Sequence, residues 1–261
     1  MSENPRVRTA RRGHTLEIVL DRPEKRNAAD LALLSALAAA YGELDRDPDL
    51  RVGVVLASGP HFTAGLDLAD IGPRIASGGL DFVPEGGLDP WGLRTRPVSK
   101  PVVIGLQGTC LTLGIELALA SDVVLAEEST SFGQIEVARG ILPFGGATLR
   151  FPRATGWGDA MRWILTGDLF DAAEAHRIGL VQQVVPDGTI AEAAAALAER
   201  IAAQAPLAVQ AALANARLAV SSPEAASAAL PAELARLASS EDAAIGLQAF
   251  LARTTAEFTG R

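Results

Sequence analysis

A chain of 261 residues is long enough for one large catalytic unit, alone or with a helical appendage, and can bury a substantial core. Its 49 % hydrophobic and 21 % charged content excludes a disordered chain, and no run of about 18 apolar residues suggests a membrane span. The net charge of −8 argues against a general nucleic-acid partner, and a single cysteine, Cys110, excludes an intrachain disulfide and fits a reducing compartment.

The opening MSENPRVRTARRGH has basic residues but no apolar stretch behind them, so no secretory signal is expected and the reading is cytoplasmic. TLEIVL at 15–20 alternates and reads as a strand, and the turn chemistry of DRPEKRN ends it. Residues 29–44 carry apolar residues at helical spacing with Asp30 as the cap, and VGVVLAS at 52–58 is a second, apolar strand. The glycine-punctuated GPHFTAGLDLAD loop follows. Residues 72–97 concentrate glycine and proline without a period and predict a mobile lid or irregular segment. The pattern resumes with a buried strand at 101–108, a short apolar helix around 113–120 and a strand at 122–128. Together these predict a mixed α/β domain of repeated strand-helix units. From residue 190 onward the chain reads as helix, alanine- and leucine-rich with few charges, which predicts burial on more than one face and self-association.

Glu116, inside the apolar IELALA, is costly to bury and needs a reason. Pairing with an arginine such as Arg139 or Arg150 is one, and catalysis is another. Glu136 either shares that work or caps a turn. His14, His61 and His176 stand in unrelated contexts with no ligand spacing, so no metal is expected. The turn PFGGATLR at 143–150 reads as packing near Glu136, Asp67 as a brace for its loop, and Asp122 as a cap or pair near a strand start.

Four segments in register carry a more specific signal: LDRPEKRNA at 20–28, HFTAGLDLAD at 61–70, the block from Lys100 to Arg150, and LTGDLFDAAEAHRIGLVQQVVP at 165–186. Spanning residues 15 to 190, they resemble the enoyl-CoA hydratase/isomerase (crotonase) superfamily. The resemblance implies an α/β fold, a crotonase-like spiral of ββα repeats over residues 1–195, with a C-terminal helical trimerisation region at 196–261. It implies a homotrimer or a hexamer built from two trimers. It also implies an enoyl-CoA hydratase that adds water to a trans-2-enoyl-CoA, with coenzyme A thioester as substrate and no separate cofactor.

The same resemblance places the enolate-stabilising backbone N–H groups on Leu66 and Leu113, and the acid-base pair on Glu116 and Glu136. Arg22, Lys25, Ala28, Ala64 and Leu68 fall on the coenzyme A path, with Phe250 and Arg253 as C-terminal contributors. The chain departs from the family where a three-glycine run is usual and Thr112, Leu113 and Gly114 stand instead. A leucine keeps the N–H, but its side chain must enter the acyl pocket or turn from it. Two further readings stay open: isomerisation or another acyl-CoA enolate chemistry on the same frame, and a non-catalytic acyl-CoA-binding relative.

Overall fold

A computed structural model describes residues 5–261. β1 (Val7–Arg12) and β2 (Thr15–Leu20) form an antiparallel hairpin, after which β3 (Val52–Ala57), β4 (Val102–Leu106), β6 (Val123–Glu127) and β9 (Gln183–Val185) extend the sheet in parallel. Both faces of the central strands β3, β4 and β6 are covered, so these read as nearly continuous apolar runs, and alternate side chains divide between two cores. Leu16, Ile18, Val55, Ile104 and Val124 face the inner core, while Val19, Val54, Val103 and Leu125 face α7 (Ile190–Ala202).

A second, smaller sheet is built from β5 (Thr109–Leu111), β7 (Ser131–Gly133) and β8 (Leu169–Asp171). β5 pairs in parallel with β7, and Thr63 forms a parallel bridge to Cys110. The chain therefore contributes in turn a strand to the large sheet, a short segment to the small one, and a helix. β3, Thr63 and α2 (Leu68–Ala76) make one such turn, and β4, β5 and α3 (Leu113–Ala120) the next. This is the expected ββα spiral. α1 (Leu31–Arg46) closes the inner core, its first turn capped by Asp30 Oδ1, which accepts from Leu33 N at 2.8 Å.

Several expectations change. The segment expected at 72–97 to be irregular begins inside α2, and the remainder is seated rather than loose. Phe82 and Trp91 are buried edge-to-face at 5.9 Å, Leu88 N donates to Ala38 O at 3.0 Å, and Arg46 donates to Gly86 O. Strands β1, β5, β7, β8 and β9 and helices α4 (Ala147–Thr155), α5 (Trp157–Thr166) and α6 (Ala172–Arg177) were not foreseen. The division expected at residue 195 falls within α7, which packs on the large sheet.

The C-terminal run consists of α8 (Pro206–Ser221), α9 (Pro223–Ala238) and α10 (Glu241–Ala252), with a break at Ser240, whose hydroxyl caps α10. Within one chain these helices are not buried on several faces: Leu230, Leu234, Leu247, Phe250 and Leu251 are all exposed. No helix among the described residues is long and apolar enough to cross a membrane.

Candidate active site

The site begins where two turns meet. Arg26 and Asn27 both take positive φ, and the Asn27 amide donates to Ser58 O at 2.9 Å and His61 O at 2.8 Å. That fixes the loop after β3 against the RPEKRNA turn. Ala29 N then donates to Gly65 O at 2.8 Å and Asp67 N to Ala29 O at 2.9 Å. In such a parallel bridge the residue between two bonded neighbours aims its own N–H the other way. Leu66 is that residue, and its N–H donates to no protein group among the described residues. The N–H of Leu113, the first residue of α3, is likewise free, since a helix cannot supply partners to its first turn.

Gly65 is required where the turns touch. Its φ is +98°, and a Cβ there would overlap Thr112 Oγ1. Leu66, Thr112 and Leu113 line one cavity of about 280 Å³, walled mainly by Leu34, Leu80, Phe82, Trp91, Ile135, Ile141 and Phe144. The Leu113 side chain joins the buried core and lines the cavity wall, and its carbonyl accepts from Trp91 Nε1 at 3.3 Å.

Glu116 and Glu136 open onto the same cavity, both nearly inaccessible to solvent at 2 % and 5 % exposure. They are held differently. Glu116 Oε1 accepts from Gly145 N at 2.8 Å and Ala147 N at 3.1 Å. Burial pushes its pKa up, while the two N–H donors, the charge of Arg150 and the Gly146 amide oppose that rise. Neither arginine considered from sequence forms an ion pair with it: Arg150 donates instead to Trp91 O at 2.5 Å, and Arg139 is exposed at the cavity wall. The turn at 143–150, expected to be mere packing near Glu136, is the cradle of Glu116. Gly145 must lack a side chain because a Cβ would run into the carboxylate.

Glu136 opens a single 3-10 turn, Glu136–Arg139. One oxygen accepts from Gln134 Nε2 at 2.9 Å, and the other, buried, has no partner. Burial first, and then the nearby charge of Glu116, raise its pKa to about 7. A carboxyl of this kind is half protonated near neutrality, beside a second one whose burial-driven rise is opposed by two N–H donors and a nearby arginine.

The expected coenzyme A residues separate into groups. Arg22 is buried and committed within the protein: it donates to Asp67 Oδ2 at 2.8 Å and Ala28 O at 2.8 Å, with Asp30 at 3.4 Å. It braces the turn and has no free face for a phosphate. Asp67, held below the usual carboxylate range by that guanidinium, completes the brace. Lys25 is exposed and in no ion pair among the described residues, and Ala28 sits half-buried beside it. Ala64 and Leu68 line the cavity. Phe250 and Arg253 lie exposed at the end of α10 and line no part of that cavity. Sequence reasoning missed Gly145, Ala147, Gln134 and Trp91. Only the paired glycines of PFGGA hinted at the first two, by marking a turn whose backbone can approach closely.

The profile of the enoyl-CoA hydratase/isomerase family matches residues 11–261 of the chain. A crystal structure of a probable enoyl-CoA hydratase/isomerase from Mycobacterium abscessus superposes with a TM-score of 0.96 at 56 % identity, over 98 % of this chain and 99 % of that one. An enoyl-CoA hydratase of Mycobacterium tuberculosis is 32 % identical over 78 % of this chain and 77 % of its own length. A 1,2-epoxyphenylacetyl-CoA isomerase of Escherichia coli is also 32 % identical, over 72 % of this chain and 73 % of its own.

Proposed function

The chain belongs to the enoyl-CoA hydratase/isomerase family, and from that premise we propose that it adds water across the double bond of a trans-2-enoyl-CoA. The observation that carries this reading is the unequal pair of buried carboxyls on one cavity, Glu116 gripped by two amides and Glu136 with a pKa of about 7 and one free oxygen. The thioester carbonyl oxygen sits against the N–H groups of Leu66 and Leu113, where negative charge gathers as the enolate forms. Glu116, the carboxylate, takes a proton from water as its oxygen bonds to the β-carbon. Glu136, the acid, gives its proton to the α-carbon, and proton exchange with solvent resets the pair.

Lys25 is free to meet the nucleotide phosphates, and the Ala28, Ala64 and Leu68 backbone borders the path to the cavity. Phe250 and Arg253 act from a neighbouring subunit, in a homotrimer or a dimer of trimers formed through the apolar C-terminal helices. The protein works in the cytoplasm without a separate cofactor. The Escherichia coli isomerase relative supports a second reading, isomerisation of an acyl-CoA on the same frame.

Purified protein incubated with short and medium trans-2-enoyl-CoAs is expected to consume the conjugated thioester. Glu116→Gln and Glu136→Gln should each lower kcat by roughly 10² to 10⁴. Isomerisation of a 3-enoyl-CoA without any hydration, or a glutamine variant that keeps full hydratase turnover, would refute the water-addition reading.

A further inference from the structure

Thr112, at the head of α3, holds the fold by its backbone alone: its N–H donates to Gly133 O at 2.9 Å and its carbonyl accepts from Glu116 N at 3.1 Å. Thr112 has φ +50° and ψ −113°, a backbone state that glycine enters freely and a β-branched residue resists. A threonine just before a helix ordinarily caps it by accepting an N–H from the first turn. This one does not: its side chain makes no capping bond to α3. The backbone instead carries Oγ1 to the face of Gly65, where it would overlap a Cβ, and into the cavity wall. Gly65 immediately precedes Leu66, and Thr112 immediately precedes Leu113. The hydroxyl thus stands where the residues preceding the two unpartnered N–H groups meet, beside a cavity that Leu66, Thr112 and Leu113 all line.

A strained residue persists only when its surroundings hold it there, and the inference runs from that outlier to a role. Glycine would remove the strain and leave both N–H groups in place, so backbone geometry does not account for the side chain. We propose that the Thr112 hydroxyl is a third hydrogen-bond donor to the thioester oxygen, a catalytic contact joining the N–H groups of Leu66 and Leu113. It rests on the reading of that pair as the carbonyl-binding site, but not on whether water or a proton shift follows. The hydroxyl donates its hydrogen to the oxygen as charge builds there and takes no proton itself, so Glu116 and Glu136 keep their separate tasks.

Three variants of the full chain separate hydroxyl, shape and strain. Thr112→Val keeps the branched shape and loses the donor, and kcat should fall roughly 10² to 10³-fold with KM changed only a few fold. Thr112→Ser keeps the donor and should stay within about threefold of the native rate. Thr112→Gly should melt a few degrees higher as the strain disappears, yet lose turnover like the valine variant. A second readout is independent of hydration: acetoacetyl-CoA, a 1,3-dicarbonyl thioester whose enolate absorbs in the near ultraviolet. The native protein should bind it largely as the enolate at neutral pH, and the valine and glycine variants should do so only at higher pH.

Native-like turnover and enolate absorbance in the valine variant overturn the hydroxyl's role while leaving the hydratase reading intact. A threonine-dependent enolate band without hydration has the opposite meaning, supporting the third donor and refuting the hydratase. A native protein that shows neither refutes both.

Discussion

Glu136 couples activity and stability to pH in the same direction, both declining as pH rises, and both follow from one cause. Burial and the charge of Glu116 raise its pKa from 4.5 to about 7. As the acid of the proposed reaction it must be protonated, so kcat should fall as pH rises through about 7. Stability follows proton binding: between pH 4.5 and 7 the folded chain holds a proton that the unfolded chain has lost, so raising pH across that window destabilises the fold. Glu136→Gln should therefore melt higher than the native protein at pH 8 and nearly the same at pH 4, as scanning calorimetry would reveal. Equal melting differences at the two pH values would contradict the raised pKa. Arg22 and Lys25, three residues apart, illustrate what a sequence leaves open. Both are cations in one motif, yet Arg22 is consumed by Asp67 and Asp30 while Lys25 faces solvent. Lys25→Ala should raise KM for acyl-CoA a few fold with kcat unchanged, whereas Arg22→Ala, which removes the brace on Asp67 and leaves Asp30 with Arg6 alone, should lower the melting temperature.

Among the elements, the turn before α4 matters most to the proposed chemistry. Its amides hold Glu116 in one orientation, and Gly145 leaves no room for a side chain. Gly145→Ala should displace the carboxylate and reduce kcat at least tenfold, while circular dichroism remains native; an unchanged kcat would show that the cradle is not needed. Elements also differ in how readily a sequence reveals them. α1 was legible because its apolar periodicity and its Asp30 cap act within the element itself, and α3 because it is a short uninterrupted apolar run. β5, β7, β8 and β9 were not, since three residues are too few for a period and their pairing comes from segments distant in sequence. The segment from 77 to 101 lacks regular structure as expected, but Phe82, Trp91 and Val98 pin it into the core. Burial of isolated aromatics in an irregular segment has no periodic signature.

At the scale of the whole molecule, the C-terminal helices α9 and α10 present Leu230, Leu234, Leu247, Phe250 and Leu251 to solvent, side chains that a partner surface would cover. If this face covers a second copy, Leu234→Asp together with Leu247→Asp should reduce the sedimentation coefficient toward that of a single chain. A native protein that already sediments as one chain would contradict the proposed assembly. The strands β2, β3, β4 and β6, the short helix carrying Glu116 and the two candidate carboxyls were legible in the sequence, because propensity, patterning and motif spacing are local properties. The tertiary structure alone decided that Gly145 and Ala147 grip Glu116, that Arg22 is spent on its own turn, and that Thr112 stands against Gly65 in a strained backbone. Each of these depends on groups far apart in the chain, brought together by the winding of the two sheets, and no local pattern of residues encodes which distant amide or carboxylate will be met.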